Sequence, residues 1–423
     1  MTQQPSPLQH ARWARGWTQA QVADRLRQLA WQFGYGELGI DANAVSRHER
    51  GVIRFPRAPL PDLYAELYQT TVGALWPGSH RSGTLDATPQ ARSTRVQRRE
   101  FTRLAGGLAA GLAAGTLRLP DAPIRPRVDE QLIADLREQT ARLRRADDRI
   151  PARELLGPAQ EHLRLLTRLL EADPPLRAQL AAVASEAASF TAWLWFDADA
   201  PAPARAHYRT AIRRAREAGH QTLSAYQLGS LSALAASSGY GTGAVRLIQD
   251  AKEQVSADAP AVARAWLAAS EAVAYATARD PHAALTALDR AGVAAEDAAG
   301  EGRPAWPWMS TFDPVKVAAY AGAAQVRLGR PRHAQAALAQ VVRARPAATK
   351  QKALVLADLG AAYAQQRAIE EACDQLRQAL RIATDKDSER ARRQVLDVRR
   401  RLDPWRNTSP VQALDRQLAA AWL

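Results

Sequence analysis

From residue 128 to the C-terminus, apolar residues recur at helical spacing in segments of 12–20 residues, split by Gly, Pro or Asp. No alternating strand pattern interrupts them, so the chain is expected to be all-α. Within this stretch a small residue, a large apolar residue four later and a small one three after that recur together. The sets are Ala204/Tyr208/Ala211, Ala244/Ile248/Ala251, Ala284/Leu288/Ala291, Ala334/Leu338/Val341 and Ala372/Leu376/Ala379, spaced by 40, 40, 50 and 38 residues. Positions i, i+4 and i+7 share one helix face. Small residues there admit a neighbouring helix, and the large one fills the groove between them. Before each set lies another apolar helix, and turn residues such as Ser238-Gly239, Arg279-Asp280 and Leu328-Gly329-Arg330-Pro331 close several of these. Each unit is a helical hairpin that cannot bury its apolar face alone, so stacking into an α-solenoid is expected.

The first 80 residues carry a different pattern. Leu8 to Gly16 reads as a short helix. A second helix begins at Thr18, an N-cap, with Val22, Leu26 and Leu29 at helical spacing. A third starts at Asp41, runs to Arg50 and is closed by Gly51 in the position that favours a left-handed residue. A fourth covers Pro61 to Tyr68. Three regions result: 1–80, a Gly-, Ala- and Arg-rich linker over 81–127, and the helical-repeat region 128–423.

The repeat helices resemble the tetratricopeptide repeat, with a period longer than the usual one. Gly16-Trp17-Thr18-Gln19 and Val45-Ser46-Arg47-His48-Glu49-Arg50-Gly51 resemble the helix-turn-helix of the phage-repressor-like XRE family. The two together resemble the XRE regulators with C-terminal repeats found in actinobacteria. The resemblance implies double-stranded DNA as partner, a homodimer on two half-sites, and a third helix lying in the major groove. On that helix Asn43 and Arg47 share the face opposite Val45; Asn pairs bidentately with adenine and Arg with guanine. Ser46 is carried over with them, Gln19 is expected to hold a phosphate, and Arg50, Arg54 and Arg57 to touch the backbone. Glu49 is expected to pair with Arg12 as a structural element. Two departures stand out. His48 occupies a place usually aromatic or large and apolar, and a long segment including Phe33 to Gly39 separates the second and third helices.

Composition changes this picture little. Apolar residues make up 47% and charged residues 24%, ordinary for a globular chain. The net charge is +14, and residues 1–127 hold 17 arginines against 9 acidic residues, so positive charge is concentrated where a phosphate-binding module is expected. Only five of the 57 basic residues are lysine. The single cysteine, Cys373, excludes an internal disulfide and a Cys-rich zinc module, and reads as a buried thiol. Arg98-Arg99-Glu100-Phe101 with the apolar run Leu104–Leu117 resembles a twin-arginine signal. It follows a complete DNA-binding motif, so it reads as a helix and hinge. No run is long enough to span a membrane and no N-terminal signal is seen, so a cytoplasmic, nucleoid-associated protein is expected.

No histidine spacing, P-loop or carboxylate pair supports an enzyme, a metal site or a cofactor. Asp197 and Asp199, and Glu370 and Glu371, are explained by loop and helix-start positions. Candidate effector contacts are Tyr226 and Trp266, and Trp306 and Trp308 in the insertion Ala295–Pro314, whose glycines and prolines argue against a simple helix. Core packing explains these aromatics equally well. The effector is expected to be a peptide, a small molecule or a protein. The other reading is an interaction scaffold with little specific DNA binding.

Overall fold

The computed structural model describes residues 6–33, 38–53, 55–57, 60–68, 70, 75–76, 128–147, 149–172, 174–256, 259–300 and 312–421. Among these it has 18 α-helices and no strand. The chain divides into two compact units, residues 1–26 with 39–126, and residues 27–38 with 127–423. The expected linker and its twin-arginine-like segment lie outside the described residues, as do Arg54, Trp306 and Trp308.

The first unit carries α1 (Pro7–Trp13), the start of α2 (Gln19–Phe33), α3 (Ala42–Glu49) and α4 (Leu60–Tyr68). Local chemistry sets each boundary. Ser6 and Gln9 form a capping box at α1, and Thr18 and Gln21 form the same reciprocal pair at α2. Asp41 accepts the Ala44 N–H at 2.7 Å and starts α3. Gly51, with φ 70°, ends it. α1 is shorter than the pattern suggests: its last turn unwinds at Ala14 and closes through Gly16, whose φ is 64°.

The second unit opens with α5 (Glu130–Ala146) and α6 (Ala152–Glu171). Five hairpins follow: α7 (Arg177–Asp197) with α8 (Pro201–Glu217), α9 (Gln221–Ser237) with α10 (Gly241–Glu253), α11 (Ala261–Thr277) with α12 (Pro281–Gly300), α13 (Pro314–Arg327) with α14 (Pro331–Ala344), and α15 (Lys350–Gln365) with α16 (Ile369–Asp385). α17 (Glu389–Arg401) and α18 (Ser409–Ala421) end the unit, both packed on α16. Each hairpin's first helix packs on the first helix of the next, forming one inner layer. Every second helix lies against its own partner and against the first helix that follows, forming an outer layer. Inner helices are therefore covered on several sides. α9 buries residues all round, including Leu223, Leu228, Leu231 and Leu234, while its outer partner α10 buries only Gly241, Ala244, Ile248 and Ala251.

The small–large–small sets occupy the outer helices. Of their fifteen residues only Leu288 keeps appreciable exposure; the rest are buried. Five residues before each set the chain passes through a left-handed residue: Asp199, Gly239, Arg279, Gly329 and Arg367, with φ from 55° to 83°. At each turn the next N–H reaches back five residues to a carbonyl, as in Ala200→Trp195, Asp280→Tyr275 and Ala368→Tyr363. These are Schellman turns, so one geometry closes all five inner helices, and it recurs between hairpins at Gly219 and Asp387. Only two of the five residues are glycine. Asp199, Arg279 and Arg367 accept the left-handed conformation at a cost of roughly 1–2 kcal/mol each.

Two expectations need correction. α12 continues through Ala295 to Gly300, because Glu296, Ala298 and Ala299 are good helix formers and no proline or glycine interrupts 295–299. Asp197 is not explained by its position at a helix end. It is buried at the close of α7, where Lys350 reaches it at 2.8 Å and Ser388 donates to it at 2.8 Å. Lys350 also binds Asp147 at 2.9 Å, and Asp147 accepts the Trp193 indole N–H at 2.8 Å. Arg153 meets Asp387 at 2.7 Å. Here the inner layer returns on itself, and α17 packs against α7. Burial alone would lower the Lys350 ammonium; its bonds to Asp197 and Asp147 outweigh that and raise it.

Close approach between the layers requires glycine at particular points. A Cβ on Gly241 would overlap the backbone of Thr277 and Ala278, and one on Gly322 would overlap the Leu338 side chain. Gly292, inside α12, has open space around it. Gly241→Ala is expected to destabilise the protein by about 1–3 kcal/mol, because backbone cannot move aside. Gly292→Ala is expected to stabilise it by about 0.5–1 kcal/mol. Urea denaturation of the two variants checks the opposite signs.

His162 packs in the core of α6 with its Nε2 2.9 Å from the Thr140 hydroxyl and its Nδ1 unpaired. Burial pulls its pKa down to about 4 from an ordinary 6.5. The folded state therefore holds the neutral ring, and unfolding takes up a proton below pH 6.5. Stability is full above that pH and falls by up to about 1.4 kcal/mol per pH unit as pH drops toward 4. In His162→Gln this part of the slope is expected to disappear, as measured by urea midpoints between pH 7 and 4.

Candidate functional site

In α3 the capping carboxylate of Asp41 fixes the first turn, and Val45, His48 and Glu49 form the buried face. Val45 is fully buried. His48 Nδ1 lies 3.1 Å from the Tyr64 hydroxyl, and burial lowers its pKa, so it is a core residue held by α4. Glu49 is the anchor. Arg12 binds it with both Nε, at 2.6 Å, and Nη2, at 3.0 Å, while Nη1 holds the Trp17 carbonyl at 3.0 Å. The expected Arg12–Glu49 pair is thus present and bidentate. Gln19 Nε2 donates to the same carboxylate at 2.8 Å. One buried carboxylate therefore ties α3 to α1 and to the first residue of α2.

The opposite face of α3 is exposed. Asn43 and Arg47 lie on it four residues apart, and their side chains carry no hydrogen bond or ion pair among the described residues. Ser46 is half-buried beside them, and Arg50 is exposed with its Nε 3.4 Å from the Ser46 carbonyl. Arg57 is exposed. Gln19 is engaged with Glu49 through one amide N–H, leaving the other for a phosphate oxygen. The structure thus brings Asn43, Ser46, Arg47 and Arg50 onto one helix, with Gln19 joined to that helix through Glu49.

Removing the anchor's charge leaves Arg12 uncompensated. Glu49→Gln is expected to cost about 3 kcal/mol. Hydrogen exchange at the α1 and α3 amides then speeds about 100-fold. Exchange in α9 and α11 stays unchanged.

The effector candidates lie on the inner layer. Trp266 is buried and packs over Gly229, and Tyr226 is half-buried with its ring 5.3 Å from that of Trp266. Tyr320, on the next inner helix, lies beside Trp266 and Ser270. At the start of α17, Arg390 holds its guanidinium 4.0 Å from the Phe196 ring centre and 5.7 Å from that of Trp193. Asp197, Tyr208, Tyr320 and Asp358 are its charged and hydroxyl neighbours, and burial lowers its pKa. Burial likewise raises Tyr320 and Asp358. Yet Arg390, Trp193, Tyr226, Tyr320 and Asp358 each keep part of their surface open.

A concavity of about 480 Å³ lies between α10, α11 and α12 and includes Lys252, Arg264, Leu267, Glu271 and Arg290 in its lining. Its central carboxylate, Glu271, is buried and already neutralised by Lys252 and Arg290, each at 2.8 Å. Cys373 is buried, and burial pushes its thiol up to about 11, which suits packing rather than nucleophilic chemistry. Among the described residues no group of His, Cys, Asp and Glu is placed to hold a metal ion, and no helix is long and apolar enough to cross a membrane.

Sequence reasoning missed Asp197, Lys350, Ser388 and Arg390. The one available signal was the scarcity of lysine, which makes Lys350 conspicuous. Compared with known proteins, the chain matches no family model and no curated protein.

Proposed function

We propose that this chain is a sequence-specific DNA-binding transcription regulator, with a helix-turn-helix of XRE type in its first unit and an effector-sensing repeat unit. The observation that carries the reading is the α3 surface: Asn43 and Arg47, exposed and with side chains that meet no partner among the described residues, on a helix whose other face is fixed by the buried Glu49. Such a pair is poised for bidentate contacts with base edges, adenine for Asn and guanine for Arg. Arg50 and Arg57 add the backbone charge that non-specific binding uses. A homodimer on two half-sites, one helical turn or a multiple apart, would match two such helices to a palindromic site. The repeat unit supplies a large inner surface for a peptide, a small molecule or a protein.

Selection of random DNA duplexes on the purified full chain, followed by titration of the enriched site, tests this. Wild type is expected to enrich a two-fold motif. Arg47→Ala is expected to lose about 1–3 kcal/mol of site preference, with binding to unrelated DNA largely kept. Affinity for either DNA is expected to fall linearly in log–log form with salt. An enriched motif bound equally well by Asn43→Ala/Arg47→Ala overturns the assignment of α3. Absence of any enriched motif favours the scaffold reading.

A further inference from the structure

Arg390 differs from the other buried or half-buried arginines of α17, Arg392 and Arg399, in what it lacks. Arg392 is paired with Asp387 and Glu389, and Arg399 with Asp415 and Asp403. Arg390 has no hydrogen bond or ion pair among the described residues, although protein crowds it. The nearby carboxylates are already engaged. Asp197 is held by Lys350 and Ser388, Asp358 accepts from Gln394 at 2.7 Å, and Glu389 pairs with Arg392. Asp197 and Asp358 favour the Arg390 charge from a distance without bonding it, and a crowded guanidinium whose N–H groups meet no acceptor is costly unless something anionic completes it.

The geometry also specifies what would complete it. Phe196 and Trp193 lie against the guanidinium, and its N–H edge carries no bond among the described residues. That edge is the fork that binds a carboxylate bidentately. Tyr320, a neighbour of Arg390, lies beside Trp266, and Trp266 stands beside Tyr226. A ligand held by its carboxylate at Arg390 therefore has an aromatic wall within its reach. We infer that Arg390 anchors a binding subsite on the inner layer of the repeat unit for an organic carboxylate with a flat apolar body. The inference gives chemistry to the effector role in the reading above, and it rests on that reading only for the consequence of binding.

The test uses the full chain without DNA, so failure here leaves the α3 assignment standing and failure of DNA binding leaves this site standing. Two probe pairs are titrated by calorimetry and by thermal shift: 2-naphthoate against 2-naphthamide, and the tripeptide Gly-Gly-Trp with a free against an amidated C-terminus. A free acid and a peptide end present the same carboxylate, and the two pairs separate these sources. In at least one pair the anionic member is expected to bind tenfold or more tightly than its neutral partner. Arg390→Gln is expected to remove that difference, Arg390→Lys to keep part of it, and Arg393→Gln, on the exposed side of α17, to leave it unchanged. Arg390→Met, which keeps the apolar contact with Phe196, is the variant to use if Arg390→Gln does not fold. Equal binding of acid and amide, binding that survives loss of Arg390, or no binding in either pair overturns the inference.

Discussion

The repeat unit depends on one backbone constraint used five times: a left-handed residue that reverses the chain, followed five residues later by a small side chain. The turn fixes where the outer helix begins, and the small residue lets that helix lie against the inner one. The large residue four positions on then fills the groove, and at α14 and α16 it packs on a glycine of the inner helix, Gly322 and Gly360. Because spacing of the turns and spacing of the small residues are locked together, an insertion is tolerated only between hairpins. The 50-residue interval obeys this, since its extra residues fall after the outer helix α12 has packed. Apolar burial at these positions is worth roughly 1.5–3 kcal/mol for each large side chain, which is why the pattern overrides the poor turn propensity of Arg279 and Arg367.

Each unit also contains a buried charge that joins elements distant in sequence, and the two do different work. Glu49 sets the pitch of a short helix by binding Arg12 and Gln19, so the exposed face of α3 is held in place by what lies behind it. Asp197 joins the first hairpin of the repeat unit to its last helices through Lys350 and Ser388. That closure brings Arg390 over Phe196 and Trp193, and it occupies the carboxylate that would otherwise neutralise Arg390. An anion-seeking guanidinium on the inner layer is thus a consequence of how the layer closes.

Much of this was legible in the sequence. Repeat period, turn positions, the caps Thr18 and Asp41, and the Arg12–Glu49 pair all follow from local spacing or from a short motif. Residues whose meaning depends on distant partners were not legible. Asp197 and Lys350 are 153 positions apart, and nothing in the neighbourhood of either points to the other. Arg390 has the sequence context of an ordinary helix-start arginine, and its state depends on which carboxylates are already engaged. The glycines and prolines of the insertion mask the helix through Gly300, because they cluster after its first residues, which favour helix. α18 escaped the repeat pattern because its buried residues are Val411, Leu414 and Leu418, without a small residue at either end.

The role proposed for α3 is to read a defined DNA site. The most direct measurement is mapping of the tagged protein across the chromosome, in parallel with the Asn43→Ala/Arg47→Ala form at equal abundance. If α3 reads DNA, sharp peaks share a two-fold motif and vanish in the double variant. Peaks that persist unchanged in the double variant, or occupancy without any shared motif in every growth phase, would contradict it.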